Sequence, residues 1–89
     1  MRIDISFIPN DYQSQSLRML SNKEVTNPYK RIDEIKNDKK ALRRFYEERG
    51  NYLRLVFQLT KLEEELMLKN EQSLAAQCKE YMANLNKIL

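Results

Sequence analysis

Apolar residues recur at helical spacing through the C-terminal half of the chain. One line of leucines is spaced four, three and four residues apart, and a second line is spaced four, three, four and three apart. Such spacings are typical of the packing seams of coiled-coil-like helices. We therefore predict helix B at 51–68 and helix C at 71–88. The two lines are Leu55, Leu59, Leu62 and Leu66, and Leu74, Cys78, Tyr81, Leu85 and Ile88.

A further helix is predicted upstream, where the sequence TNPYKRIDEI contains residues that start helices. The side-chain oxygen of Asn27 can accept a hydrogen bond from the first turn, and Pro28 suits the first helical position because no N–H is needed there. We predict helix A at 28–49, with a site for fraying or a kink at 36–38, which lacks apolar content. Its apolar stripe consists of Ile32, Ile35, Leu42 and Phe45.

The only glycine, Gly50, lies between helices A and B and is compatible with two structures. It can end a helix in the left-handed conformation, or remain in a continuous helix at a cost of about 1 kcal/mol relative to alanine. Continuing the Ile35–Leu42 heptad across Gly50 puts mostly polar residues on the core line, so the apolar register shifts. Folding back would also bring Lys36, Lys39 and Lys40 near the three glutamates at 63–65. We therefore predict a chain reversal at Gly50.

Residues 1–27 are predicted to form a less ordered N-terminal arm. Ile3, Ile5 and Phe7 alternate with polar residues, which is strand periodicity, but an isolated strand has no partner in this chain. The stretch YQSQSLRMLSN can form a short helix that turns Leu17 and Leu20 inward. We expect an arm whose few apolar residues lie on the helices.

The predicted fold class is all-α: an antiparallel helical hairpin or a small three-helix bundle with coiled-coil-like packing, formed by residues 28–89. Helices B and C can be separate or continuous, because the stretch LKNEQSL between them has neither glycine nor proline. Residues 52–59 are apolar around most of the helix circumference. One neighbouring helix cannot cover them, so either helix C or another molecule must.

Composition excludes most catalytic and cofactor chemistry. The chain has no histidine, one cysteine and one glycine, which removes imidazole bases, the usual zinc sites and glycine-rich phosphate loops. Adjacent carboxylates at 47–48 and 63–65 diverge on a helix, and Cys78 lies on an apolar seam. We expect no enzymatic activity, cofactor or metal. Because no apolar run approaches the ~18 residues of a membrane span and no secretory signal is evident, we expect a cytoplasmic protein.

Two classes of function remain. The first is a small helical interaction module, such as an adaptor, chaperone-like protein or assembly factor, that buries its leucine seams against a protein partner or a second copy. The second is a nucleic-acid-binding regulator that uses the basic face of residues 36–44, although a net charge of +3 is mild. The candidate partner-binding residues are Leu55, Leu59, Leu62, Leu66, Leu74, Tyr81 and Leu85, and the candidate nucleic-acid-binding residues are Lys36, Lys39, Lys40, Arg43 and Arg44.

Overall fold

The computed structural model describes residues 2–35 and 38–89, and these residues form helices but no strand. The elements are a 3-10 turn at Asn10–Tyr12, α1 at Gln15–Ser21, a 3-10 segment at Pro28–Ile35, α2 at Lys39–Leu68, α3 at Gln72–Ala83 and α4 at Leu85–Ile88. The main packing is between α2 and α3, joined by a short turn. This arrangement confirms the prediction of an all-α fold built around a helical hairpin.

The predicted chain reversal at Gly50 is wrong, because α2 is one continuous helix of 30 residues. Gly50 has no positive φ, and a β-carbon added to it would meet nothing within 4 Å. The apolar register shifts because α2 changes neighbours along its length: its first turns pack against Pro28–Ile35, and later turns pack against α3. Lys40 and Glu64, which a reversal would have brought together, are therefore separated by ~36 Å along the helix axis.

The predicted helix A is also corrected, because it forms as two separate pieces. As predicted, the sequence starts a helical segment at Pro28, and the Tyr29 N–H donates to Asn27 Oδ1 at 3.1 Å. That segment is a 3-10 helix with a kink at Arg31, where φ is −117°. A new start follows at Asp38, whose Oδ1 accepts from the Lys40 N–H at 3.0 Å and caps α2. Two of the three positions expected to fray or kink, 36 and 37, lie outside the described residues.

Helix α2 ends in a three-residue turn centred on Asn70, which has a left-handed φ of 61°. The Glu71 N–H donates to the Leu66 carbonyl at 2.8 Å, and the Asn70 N–H donates to the Met67 carbonyl at 3.2 Å. These two bonds make a Schellman motif, which satisfies carbonyls at the helix end. The turn directs α3 back along α2, and the predicted helix C continues as α3 and then α4, with Asn84 between them.

The N-terminal segment lies on the helices and supplies a large part of the core. Ser14 starts α1, since its Oγ accepts from the Leu17 N–H at 3.1 Å. Gln13 Nε2 donates to the Ile8 carbonyl at 2.7 Å and holds the preceding bend. Full burial of one Ile or Leu side chain contributes about 1.5–3 kcal/mol, so this segment stabilises the hairpin that it covers. The core consists of Ile3, Ile5, Ile8, Leu17, Leu20, Val25, Leu55, Leu59, Leu62, Leu66, Ala75, Cys78 and Leu85.

Candidate partner-binding surface

The leucine seams that the sequence nominated for partner binding are used inside the chain itself. Leu55, Leu59 and Leu66 have no exposed surface, and Leu62 and Leu85 are also buried. Leu74 and Tyr81 are partly buried and pack against the same core. Intramolecular packing thus accounts for all seven positions, and a role for them in binding a partner stays a prediction.

A second apolar stripe lies on the opposite side of α2 and faces solvent. With 3.6 residues per turn, its members fall within an arc of about 100°, roughly opposite the leucines that enter the core. Phe57 is 58% exposed and Leu68, at the end of the helix, is 86% exposed. We call this surface the α2 stripe; it consists of Leu42, Tyr46, Leu53, Phe57, Met67 and Leu68.

Basic side chains cover part of the stripe. The guanidinium of Arg49 lies 4.9 Å from the centre of the Tyr46 ring, and the ammonium of Lys61 lies 5.4 Å from the centre of the Phe57 ring. Both contacts place a positive charge near the face of an aromatic ring, which attracts it electrostatically. Toward the C-terminal end of α2, a shallow groove of about 620 Å³ is lined by Thr60, Glu63, Glu64, Met67 and Leu68.

Charges beside the stripe change sign along α2. Its first half carries an excess of basic side chains, whereas residues 63–65 are three consecutive glutamates. Glu65 Oε1 forms an ion pair with Lys69 Nζ at 3.0 Å. No ion pair of Glu63 or Glu64 is seen among the described contacts. The stripe is therefore an apolar surface about 40 Å long with a basic end and an acidic end.

The basic residues nominated for nucleic-acid binding lie near the start of α2, and the four described ones are all exposed. Lys36 lies outside the described residues. Lys39 and Arg43 share one side of the helix, whereas Lys40 and Arg44 lie farther around it, so the four spread over an arc of about 140°. Arg44 Nε donates to Glu48 Oε1 at 2.8 Å, which partly neutralises it.

Glu48 receives a second hydrogen bond from Arg31, and this joins the Pro28–Ile35 segment to α2. Burial alone would raise the pKa of the Glu48 carboxyl, but the hydrogen bonds from Arg31 and Arg44 outweigh it and lower that pKa below its ordinary value. This charge network joins two parts of the fold, and it pairs Arg44, one of the five nominated cations, with a carboxylate of the same chain.

Reactive chemistry is not evident on the described surface. No cluster of three metal-ligating side chains occurs among the described residues. The Cys78 thiol is buried in the core, and that burial, with a smaller contribution from Glu63, raises its pKa, so the nucleophilic thiolate is disfavoured. Within the same residues, no helix has the length and apolar character needed to cross a bilayer.

Sequence reasoning missed the α2 stripe as a site, although one signal for it was present. The excess of apolar residues at 52–59 indicated a surface that a single neighbour could not cover. Leu53 and Phe57 are the part that α3 leaves open. Comparison with protein-family models, curated proteins and solved structures finds no match to this chain.

Proposed function

We propose that this chain is a small protein-interaction module, acting as an adaptor or assembly factor, and that the α2 stripe binds a helix of its partner. The supporting observation is the position of the stripe. Apolar side chains recur at helical spacing on the solvent side of a long helix whose opposite side is already filled by its own core. Anchors at this spacing are how one amphipathic helix binds along another.

The stripe contains enough uncovered apolar surface for binding of moderate strength. Leu53 is 49% exposed and Phe57 58% exposed, so each has about half of its surface left to bury. Full burial of such a side chain is worth about 1.5–3 kcal/mol, so each anchor offers ~1 kcal/mol to an interface. Six anchors offer on the order of 6 kcal/mol before the costs of association, which favours a reversible complex. The free, buried thiol of Cys78 supports a reducing compartment, and we propose a cytoplasmic site of action.

Site-specific photo-crosslinking in the cell of origin tests this function. A photoreactive phenylalanine analogue replaces Phe57 in one variant and Lys79, an exposed residue of α3, in a matched control. We expect a crosslinked protein adduct from position 57 and a much weaker one from position 79. The additional substitution Leu53→Asp, at an exposed site where folding should be preserved, is expected to reduce the adduct about tenfold. Equal crosslinking at both positions, or none at position 57, would refute the proposed function.

Nucleic-acid binding is a second candidate, supported by the exposure of Lys39, Lys40 and Arg43 at the positive N-terminal end of α2. Glu47 and Glu48 lie among these residues and weaken the case. A mobility-shift titration at two salt concentrations tests it, because binding through three or four phosphates should fall steeply with salt. The triple variant Lys39→Ala, Lys40→Ala, Arg43→Ala should abolish a genuine shift, and the absence of any shift at low salt removes this candidate.

A further inference from the structure

We propose that the partner of the α2 stripe is a second copy of this chain, with the two α2 helices packed antiparallel along their stripes. The two-fold axis would cross the pair at the level of residue 55 along the helix. This inference rests on the proposed function of the stripe and identifies its partner. The arguments for it are the spacing of residues along the stripe and the distribution of charge beside it.

The spacing along the stripe reads the same in both directions. The positions on this face follow one another at intervals of 4, 4, 3, 4, 3, 4 and 4 residues. A helix turned end for end therefore presents the same ladder of side chains to an identical helix. These positions comprise five stripe residues (Leu42, Tyr46, Leu53, Phe57 and Leu68) together with Gly50, Thr60 and Glu64 on the same face, while the stripe residue Met67 lies outside the ladder.

This symmetry pairs apolar residues with apolar residues at the centre and at the ends. Leu53 of one copy faces Phe57 of the second copy, and the two-fold axis repeats the contact. Leu42 at one end of the stripe faces Leu68 at the other. Gly50 faces Thr60, and because nothing lies within 4 Å of the Gly50 β-carbon position, the partner backbone can approach closely there.

The charges flanking the stripe become complementary in the same register. On one edge Glu47 faces Lys61 of the second copy, and on the other edge Arg49 faces Glu63, each pair occurring twice. Within one chain Glu47 and Lys61 are 14 residues apart on α2, or about 21 Å, so they do not form this pair intramolecularly. A parallel pair would instead place residues 63–65 beside the same glutamates of the second copy.

This register also has unfavourable contacts. Tyr46, an apolar stripe residue, faces the Glu64 carboxylate of the second copy, and Arg54 lies near the axis, close to Arg54 of the second copy. Replacement of Arg54 by alanine should therefore tighten the pair. The interface is also narrow: α2 has 30 residues and spans about 45 Å, so the area buried lies near the low end for specific complexes. Both features favour a dimer that dissociates on dilution.

Sedimentation over a concentration series, combined with a charge exchange, tests the inference. We expect the mass to rise from 10.7 kDa toward twice that value as concentration increases. Glu47→Lys alone, and Lys61→Glu alone, should each weaken association about tenfold or more, because each change makes two attractive pairs repulsive. The double variant should recover most of the lost affinity. A double variant that is no better than the single variants would overturn the antiparallel register.

Disulfide trapping provides an independent readout of orientation. In a Cys78→Ala background, a mixture of the Leu53→Cys and Phe57→Cys chains should form a mixed disulfide, because these two positions face each other across the antiparallel pair. The Thr60→Cys chain should not form a disulfide with itself, because the two Thr60 positions would be about 15 Å apart along the paired helices. The opposite result would overturn the antiparallel arrangement.

Failure of this inference is distinguishable from failure of the proposed function. If the chain sediments as a monomer at all concentrations while position 57 crosslinks to a different protein, the second copy is rejected and the interaction module stands. If position 57 crosslinks to nothing, both are rejected.

Discussion

Replacing Gly50 with alanine should stabilise the protein, and the geometry of α2 sets the size of the effect. Gly50 lies well inside a 30-residue helix and has no positive φ. Alanine is about 0.8–1.0 kcal/mol more favourable than glycine in a helix interior. The added methyl group would meet nothing within 4 Å, so no steric cost opposes this gain. We therefore expect a gain of ~1 kcal/mol, which corresponds to a rise in Tm of about 4–8 °C for a chain of this size.

The assay is urea denaturation followed by far-UV circular dichroism, at a concentration where the chain sediments as a monomer. D-Alanine at position 50, introduced by chemical synthesis, is the matched control. D-Alanine favours the left-handed backbone conformation that L-residues avoid. It should therefore destabilise a right-handed helix but stabilise a helix end in which position 50 is left-handed. Loss of stability with L-alanine together with a gain with D-alanine would refute a continuous α2 and restore a chain reversal at Gly50.

Three further changes test other parts of the fold. Asn70→Gly should stabilise the chain by about 0.5–1 kcal/mol because Asn70 has a left-handed φ of 61°, whereas Asn70→Ala should destabilise it by ~1 kcal/mol; the same sign for both in urea denaturation would contradict the turn. Ile8→Ala should cost about 2–5 kcal/mol because Ile8 is 1% exposed, while Ile32→Ala, at a site 48% exposed, should cost less than ~1 kcal/mol; equal Tm changes would argue against the packed N-terminal segment. Glu48→Gln should cost ~1 kcal/mol at neutral pH, since it weakens the bonds from Arg31 and Arg44. The pKa of Glu48 is lowered in the folded chain. The stabilisation that its carboxylate provides is therefore fully present above the ordinary glutamate pKa of about 4.3. That stabilisation is lost as the pH falls from this value through the lower pKa of the folded state. The stability difference between the parent chain and Glu48→Gln should therefore shrink on acidification, and a constant difference would contradict this assignment.

Helix starts and seams could be predicted from the sequence because they depend on local chemistry. The cap at Asn27 and the leucine lines that enter the core belong to this group. The chain reversal could not be located correctly, since a lone glycine suits a helix end and is also tolerated inside a helix. The left-handed helix end is formed by Asn70, a residue that adopts this conformation less readily than glycine.

The candidate surface was harder to predict, because periodicity identifies faces of a helix without saying which one is covered. Around residues 52–59 α2 has two apolar faces, one with Leu55 and Leu59 and the other with Leu53 and Phe57. The N-terminal segment and α3 cover the first face, and both are distant in sequence from it. Which face stays open thus depends on long-range packing that no local pattern records.

The uneven anchoring of α2 has a consequence for its dynamics. Four of its buried residues lie between Leu55 and Leu66, whereas Phe45 is the one buried side chain seen in its first half. Amide hydrogens near the N-terminal end should therefore exchange with solvent through small local openings, and those near the C-terminal end should exchange only on global unfolding. A single unbroken helix would then contain two cooperative units, with the boundary close to Gly50, and its basic end could unwind and re-form while the core remains folded.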